Sequence, residues 1–248
     1  MSVLVAIAVH ERAPLVRLCL PTVAELQLPP DSEIVVFDDA SKSFDVAALL
    51  AEIGLTARLQ RAAFRMGPDA MIYFVWSHFL ASRHTELLFL DSDLIINPNA
   101  LLQGLAYLAE FPGLLSLYNS RRHPASGESG PLVLKSILGN AGTLWRRDLV
   151  QRVKGALAAG QYIDDRYSRF LTANNVPLAA TSKSLVQHLG IGGTNNTYLG
   201  DFDHGLNFTP DTPRQLAAIA AVYDQIMLNQ KSYLPPTRVD DVPAPGHS

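Results

Sequence analysis

Asp91 and Asp93 stand one residue apart at the end of the apolar run Leu87-Leu88-Phe89-Leu90. Like charges this close repel unless a positive group lies beside them. Carboxylate oxygens suit hard divalent ions such as Mg²⁺ or Mn²⁺, which take one or two protein carboxylates together with substrate phosphates. The Asp91-Ser92-Asp93 stretch therefore reads as a holder for a cation and a phosphorylated ligand. The plainer alternative is a pair of solvated acids capping the next helix. Asp38-Asp39 ends a second apolar run, "EIVVFDD". There an acid accepts hydrogen bonds from a nucleobase imide or a ribose hydroxyl, or else belongs to a turn capped by Ser41; both readings stand. His10-Glu11-Arg12 ends a third run, "VLVAIAV". Asp164-Asp165 opens a helical stretch, where acids favour the helix dipole in any case. His188, in "SLVQHLG", is on its own residues a core histidine among apolar neighbours.

The elements that must position these groups alternate. Apolar runs at 3–9, 33–39, 56–61, 86–91 and 114–119 read as strands. Helical patterns at 14–26, 44–54, 68–82 and 98–113 separate them, with Pro14 suited to a first turn and Gly54 to a C-cap. Strands apolar on both faces, separated by helices, predict an α/β fold with a mainly parallel sheet. Ligands of such sheets bind beyond the carboxyl ends of the strands. His10-Glu11-Arg12, Asp38-Asp39 and Asp91-Ser92-Asp93 all fall on that edge. Beyond residue 120 the pattern changes: a polar loop at 120–131, loop, strand and helix over 139–153, and a helix over 162–175. A strand-like piece and a Gly/Asn-rich loop follow over 184–205, then an amphipathic helix at 213–227 and a Pro-rich tail. The expected organisation is a ligand-binding half (1–120), a second half (121–212) and a C-terminal helix with tail (213–248).

With 48% hydrophobic and 17% charged residues, the chain of 248 residues is globular and can bury a sizeable core. A net charge of −3 without a basic block gives no footprint for nucleic acid. The single cysteine, Cys19, excludes an internal disulfide and reads as an inert core thiol. No run of about 18 apolar residues predicts a transmembrane span. A cytoplasmic protein is expected, with peripheral contact at the inner membrane left open.

The stretches "VLVAIAVHERAPLV", "EIVVFDDAS", "LLFLDSDLIINPNAL", "GNAGTLWRRDLV", "YIDDRYSRFL" and "SLVQHLG" come in the order found in GT-A glycosyltransferases. The chain resembles the inverting, bacterial type of family 2 over residues 3 to about 192. The resemblance implies a GT-A (Rossmann-like) fold with an acceptor-side C-terminal half. It implies transfer of a sugar, a hexose most simply, from a nucleoside-diphosphate sugar to an acceptor hydroxyl in bacterial polysaccharide or glycoconjugate synthesis. A UDP-sugar is the favoured donor, and the acceptor would be a glycan, a lipid-linked or another hydroxyl compound.

By the same resemblance, Val9, His10 and Glu11 line the nucleoside pocket, and Asp39, beside Asp38, contacts uracil or its counterpart. Asp91, Ser92 and Asp93 form the DxD motif. Asp93 would be the main ligand of Mn²⁺ or Mg²⁺, Asp91 would lie nearer the ribose or a metal-bound water, and His188 would be the C-terminal metal ligand. Ile163-Asp164-Asp165 matches the xED motif, with Asp165 as general base. Asp164 replaces the usual Glu, so the choice between the two stays open. "FRMGPDA" lacks a customary Asn; Gly67 still fits the backbone need, and Arg65 would face the diphosphate. Gly142, in the glycine loop from Gly139, and Trp145 would lie on the acceptor side. Trp145 and Tyr118 are sugar-stacking candidates or plain core aromatics. Arg121-Arg122-His123 is a solvated cluster or a contact for an anionic acceptor. Residues 192–212 are a closing lid or a surface loop, and Asn195-Asn196-Thr197 matches a glycosylation sequon.

Two other readings remain. In a haloacid-dehalogenase-like phosphatase, Asp91 would be the nucleophile; that motif normally opens its fold, whereas here some 85 residues precede it. A catalytically inactive sugar-nucleotide-binding module is the other. A nucleotidyltransferase is disfavoured, because "VHERAPLV" lacks the glycine-rich loop expected after the first strand.

Overall fold

The computed structural model describes residues 2–190 and 203–233. Strand β1 (Val3–Val9) lies centrally and pairs in parallel with β2 (Glu33–Asp38) on one side and β4 (Glu86–Asp91) on the other. β3 (Arg58–Arg61) extends the parallel part beyond β2. Among the described residues the sheet has nine strands, in the order β3-β2-β1-β4-β9-β6-β10-β8-β7. Its second part is built from β6 (Leu114–Ser116), β7 (Ala125–Ser129), β8 (Leu132–Lys135), β9 (Thr143–Arg146) and β10 (Leu178–Thr181). β8 and β9 run against the others, so the sheet is mainly parallel with two reversed strands.

Alternation along the strands builds two cores. Val3, Val5 and Ile7 of β1, Val36 of β2, and Leu88 and Leu90 of β4 pack with α1 (Ala13–Val23), α2 (Val46–Glu52) and α4 (Ala100–Glu110). Leu4, Ala6, Val35, Phe37, Leu87 and Phe89 face the opposite way, against α3 (Pro68–Ala81), α5 (Arg147–Ala156) and α6 (Ile163–Ala173). Both faces of each strand are dry, which is why these strands read as continuous apolar runs. Each such Val, Leu or Phe contributes roughly 1.5–3 kcal/mol relative to exposure. α7 (Pro213–Tyr233) packs on α1, where Ala218 and Val222 meet Leu15 and Cys19.

Three local expectations change. The 120–131 stretch is not all loop: Ala125–Ser129 pairs with Leu132–Lys135 as a hairpin around Gly130, whose φ of 59° suits the tight turn. α2 is capped by Asp45, which accepts from the Ala47 and Ala48 N–H groups, and not by Ser41. The Ser41 hydroxyl instead accepts from the Glu11 N–H at 3.0 Å. The strand at 114–119 is shorter than the apolar run, because Leu117 and Tyr118 leave the ladder. The sequon and residues 192–202 of the expected lid lie outside the described residues.

Candidate active site

A cleft of about 650 Å³ opens at the carboxyl ends of β1, β2 and β4. It is lined by Val9, His10, Arg12, Asp39, Arg65, Gly67, Asp91, Ser92, Asp93, Asp164 and His188, among others. The sequence brings them together by short, definable steps.

β4 delivers Asp91 on the face that carries Leu87 and Phe89, the same face as α6 and Asp164. The chain then turns into β5 (Leu94–Ile96), which pairs antiparallel with β11 (Val186–His188), His188 opposite Leu94. The Leu189 N–H donates to the Asp93 carbonyl at 2.9 Å. This short ladder sets His188 beside Asp93, with Nε2 3.3 Å from Oδ2. The second positive neighbour is Arg12, whose Nη1 donates to the same oxygen at 2.9 Å.

The two aspartates consequently differ. Burial pushes Asp91 up, and the charge of Asp93 pushes it further. Burial works in the same direction on Asp93, but His188 and then Arg12 overcome it and hold that carboxyl far below its usual range. Burial alone would lower His188; Asp93 reverses this and raises it. The like-charge conflict at 91–93 is thus relieved by Arg12 and by an imidazole whose charged form Asp93 favours.

Whether a divalent ion fits can be tested on the donor set. Asp93 Oδ2 is shared by Arg12 and His188, while Asp93 Oδ1 is buried and has no hydrogen-bond partner. A buried carboxylate oxygen without a partner is costly, so Asp93 has capacity for another cation. Asp91 and His188 line the same wall and supply oxygen and imidazole donors. These residue types suit Mn²⁺ or Mg²⁺. Among the described residues no three His, Cys, Asp or Glu side chains already converge as a metal cage. A cation here would compete with Arg12 for Asp93 and could take the His188 ring nitrogen as a ligand.

α6 also borders the cleft; it starts at Ile163 after Tyr162, which is left-handed at φ 56°. Asp164 faces the cleft; one of its oxygens also accepts the Asp165 N–H at 2.9 Å. Asp165 does not line the cleft. It pairs with Arg169 one turn along the helix, at 2.7 Å.

Other candidates fall elsewhere. Asp39 lines the cleft, but its oxygens accept from the Met66 and Gly67 N–H groups at 2.5 and 2.8 Å. It shapes the loop carrying Arg65 and lets Gly67 start α3 at φ 84°, a value glycine tolerates. Asp38 is buried, accepts from the Ser41 N–H and contacts Arg61 at 3.2 Å. Glu11 turns away from the cleft to accept from the Lys42 and Ser43 N–H groups and the Ser43 hydroxyl. These bonds lower its pKa to about 2.

Trp145 is fully buried between Trp76 and Tyr167, its Nε1 donating to the Thr143 hydroxyl at 2.9 Å. It is a core residue and presents no face to a sugar. Gly142 is buried under Val186 and Tyr118 and lines no part of the cleft. Tyr118 is core too; its hydroxyl donates to the Asp203 carbonyl at 2.6 Å and anchors the chain after the undescribed segment. Arg121 and Arg122 are exposed outside the cleft.

Arg12, Asp69, Gln161 and Tyr162 belong to the cleft without having been singled out from sequence. Arg12 had a signal, its place in the polar cluster after β1. Asp69 had none beyond being a first-turn acid, yet its Oδ1 accepts the Ile163 N–H at 3.1 Å.

No protein-family model matches the chain, and no curated protein matches it in sequence. Solved structures do match in fold. The TarS fragment 1–349 of S. aureus superposes with a TM-score of 0.56 at 14% identity, over 92% of this chain and 66% of that one. The same fragment with UDP-GlcNAc gives 0.56 at 13%. The mannosyltransferase PcManGT of Pyrobaculum calidifontis, in complex with GDP-Man and Mn²⁺, gives 0.54 at 14%, over 93% and 75%. The chain thus spans just under two thirds of the TarS fragment, and 39% of the longer TarS structure. The fold is that of the GT-A glycosyltransferases, and the phosphatase-type fold considered from sequence is not the one observed. Among the described residues, no helix is long and apolar enough to cross a membrane.

Proposed function

We propose that the chain is a divalent-metal-dependent, inverting glycosyltransferase that moves a sugar from a nucleoside-diphosphate sugar to an acceptor hydroxyl. The carrying observation is a single cleft lined by Asp91, Asp93 and His188 and also by Asp164, from a different element. The ligands of the structural neighbours, UDP-GlcNAc in TarS and GDP-Man with Mn²⁺ in PcManGT, support the same reading. Growth of a bacterial polysaccharide or glycoconjugate is the most natural setting for such chemistry.

In this reading Asp164 is the base. It accepts the proton of the acceptor hydroxyl as that oxygen bonds to the anomeric carbon from the side opposite the diphosphate. The bond from the anomeric carbon to the diphosphate oxygen breaks, and its electron pair leaves with the nucleoside diphosphate. Asp165 is spoken for by Arg169 and lies off the cleft. Asp91, Asp93 and His188 would hold the divalent ion, which when bound stabilises negative charge on the leaving diphosphate. Arg12 and Arg65 line the same cleft and add positive charge near that group. Burial of the Asp91–Asp93 wall strengthens these interactions relative to water.

A thermal-shift screen of UDP-, GDP- and dTDP-sugars, with and without Mn²⁺, tests the reading. Ligand at about 100 times its Kd should add roughly 2.7 kcal/mol of stability. Stabilisation by one nucleotide class that needs Mn²⁺, and that Asp93→Asn abolishes, is expected. No response to any nucleotide sugar would overturn the proposal.

A further inference from the structure

We infer that Arg12 exchanges partners during binding: it holds Asp93 until a divalent ion takes that carboxylate, then turns to the donor diphosphate. The ion therefore binds before the donor. This rests on the nucleotide-sugar reading above. The backbone under Arg12 is built to stay still. Glu11 and Arg12 are consecutive left-handed residues, at φ 51° and 59°. Neither is glycine, and such a pair persists only where its surroundings hold it. The Glu11 N–H donates to the Ser41 hydroxyl at 3.0 Å, and the Glu11 carboxylate accepts from the Lys42 and Ser43 N–H groups. The Arg12 carbonyl accepts from the Leu15 and Val16 N–H groups at 2.9 and 3.2 Å. A fixed backbone thus sends a long side chain into the cleft, where it stays 30% exposed.

Among the described residues, the side chain of Arg12 makes one hydrogen bond, from Nη1 to Asp93 Oδ2 at 2.9 Å. A guanidinium has five N–H donors in a planar fork. The rest of this fork is available in the cleft for a bidentate oxyanion. Arg147 shows the contrasting use: its fork is filled by the carbonyls of Phe79, Leu80, Ser82 and His84, as a brace. Asp93 is buried, and its Oδ2 already meets His188 Nε2 at 3.3 Å as well as Arg12. A divalent ion on this carboxylate and a guanidinium on the same oxygen repel strongly, since burial weakens the screening. With the carboxylate taken, Arg12 loses its one partner and swings on its stem toward the nearest anion, the diphosphate. Before that, Asp93 neutralises Arg12 and leaves the donor less positive charge to meet.

The test is isothermal titration into the whole protein, first of Mn²⁺ alone, then of UDP and of GDP at saturating Mn²⁺. Arg12→Met removes both roles. With folding established by its melting curve, it should bind Mn²⁺ alone at least about tenfold more tightly than wild type, because no competitor holds Asp93. The nucleotide that wild type favours should bind to it at least about tenfold more weakly, the usual worth of one charge-assisted contact. Arg12→Lys keeps a cation beside Asp93, and so the fold, but lacks the planar fork. It should bind Mn²⁺ alone within about threefold of wild type and the nucleotide about threefold or more weakly. This variant decides alone if Arg12→Met does not fold. Mn²⁺ affinity unchanged or weakened in Arg12→Met overturns the exchange. Nucleotide affinity equal to wild type in either variant also overturns it, since Arg12 would then be a brace that never leaves Asp93. Wild-type protein that binds neither nucleotide overturns the donor reading itself, and the exchange with it.

Discussion

The carboxylate of Asp69 accepts the N–H of Ile163 at 3.1 Å, so the first turn of α3 caps the helix that bears Asp164. Tyr162, the residue at the cap position of α6, makes no side-chain capping bond of its own. An acid in one helix therefore fixes the start of the helix that carries Asp164, the proposed base. Asp69→Ala should lower stability by about 1–2 kcal/mol, as for loss of a cap. It should also lower the transfer rate at least about tenfold through misplacement of Asp164. Donor affinity from titration should change little, and Asp69→Asn should recover part of the rate. A rate equal to wild type in Asp69→Ala would show that α6 is held by other contacts.

The two carboxylates of α6 should separate cleanly. Asp164→Asn should keep donor binding and lose about 10²–10⁴-fold in turnover, the usual contribution of a general base. Asp165→Asn breaks a half-exposed i,i+4 pair with Arg169 and should cost no more than about 0.5 kcal/mol, with turnover near wild type. Single-turnover transfer rates for the two variants decide between them, and the reverse pattern would move the base to Asp165.

Glu11 braces the β1–α1 turn against Lys42 and Ser43, and its pKa is lowered to about 2 mainly by the Ser43 hydroxyl, then by the Lys42 and Ser43 N–H groups. A lowered carboxyl stabilises the fold above its unfolded value and loses that effect as pH falls through the folded one. Glu11→Gln should thus be destabilised at pH 7. The gap to wild type should close between about 4.5 and about 2. Denaturant melts across that range measure it, and a gap that does not vary with pH would mean the ionised brace contributes nothing.

Trp145 gives a prediction of the opposite kind. It is fully buried against Trp76 and Tyr167. Trp145→Ala should cost about 3–5 kcal/mol. Trp145→Phe should retain the ring packing, lose the bond to Thr143, and leave the KM for acceptor unchanged. A raised acceptor KM in a well-folded Trp145→Phe protein would return this residue to the sugar site.

The strand ends were readable because both faces of β1, β2 and β4 are dry, so each apolar run stops abruptly where the cleft begins. The acids at 91, 93 and 164 followed from that edge and from the order of the stretches. What sequence could not convey was direction. Asp164 and Asp165 are adjacent, and only the turn of α6 decides that one faces the cleft and the other Arg169. Trp145 alternates into the core by strand parity, yet the loop before β9 hid where the strand starts. The β5–β11 ladder joins segments some ninety residues apart with three residues each, too short to announce itself in either stretch. Asp69 acts on Ile163 at a separation of 94 residues, with no local pattern to reveal it.

Strand β9 lies between β4 and β6 and pairs with both. It falls in the second part of the chain as sequence divides it (121–212), yet both its partners fall in the first (1–120). Cutting the chain near residue 120 would strip β4 of one of its two partners and bare the apolar edge Leu87–Phe89, a template for aggregation. A graft that replaces the chain beyond residue 120 must carry Thr143–Arg146, or a strand of equal register, along with the new segment. The seam along which such a protein could be recombined runs through the hydrogen bonds of one four-residue strand, and not through the loop where its composition changes.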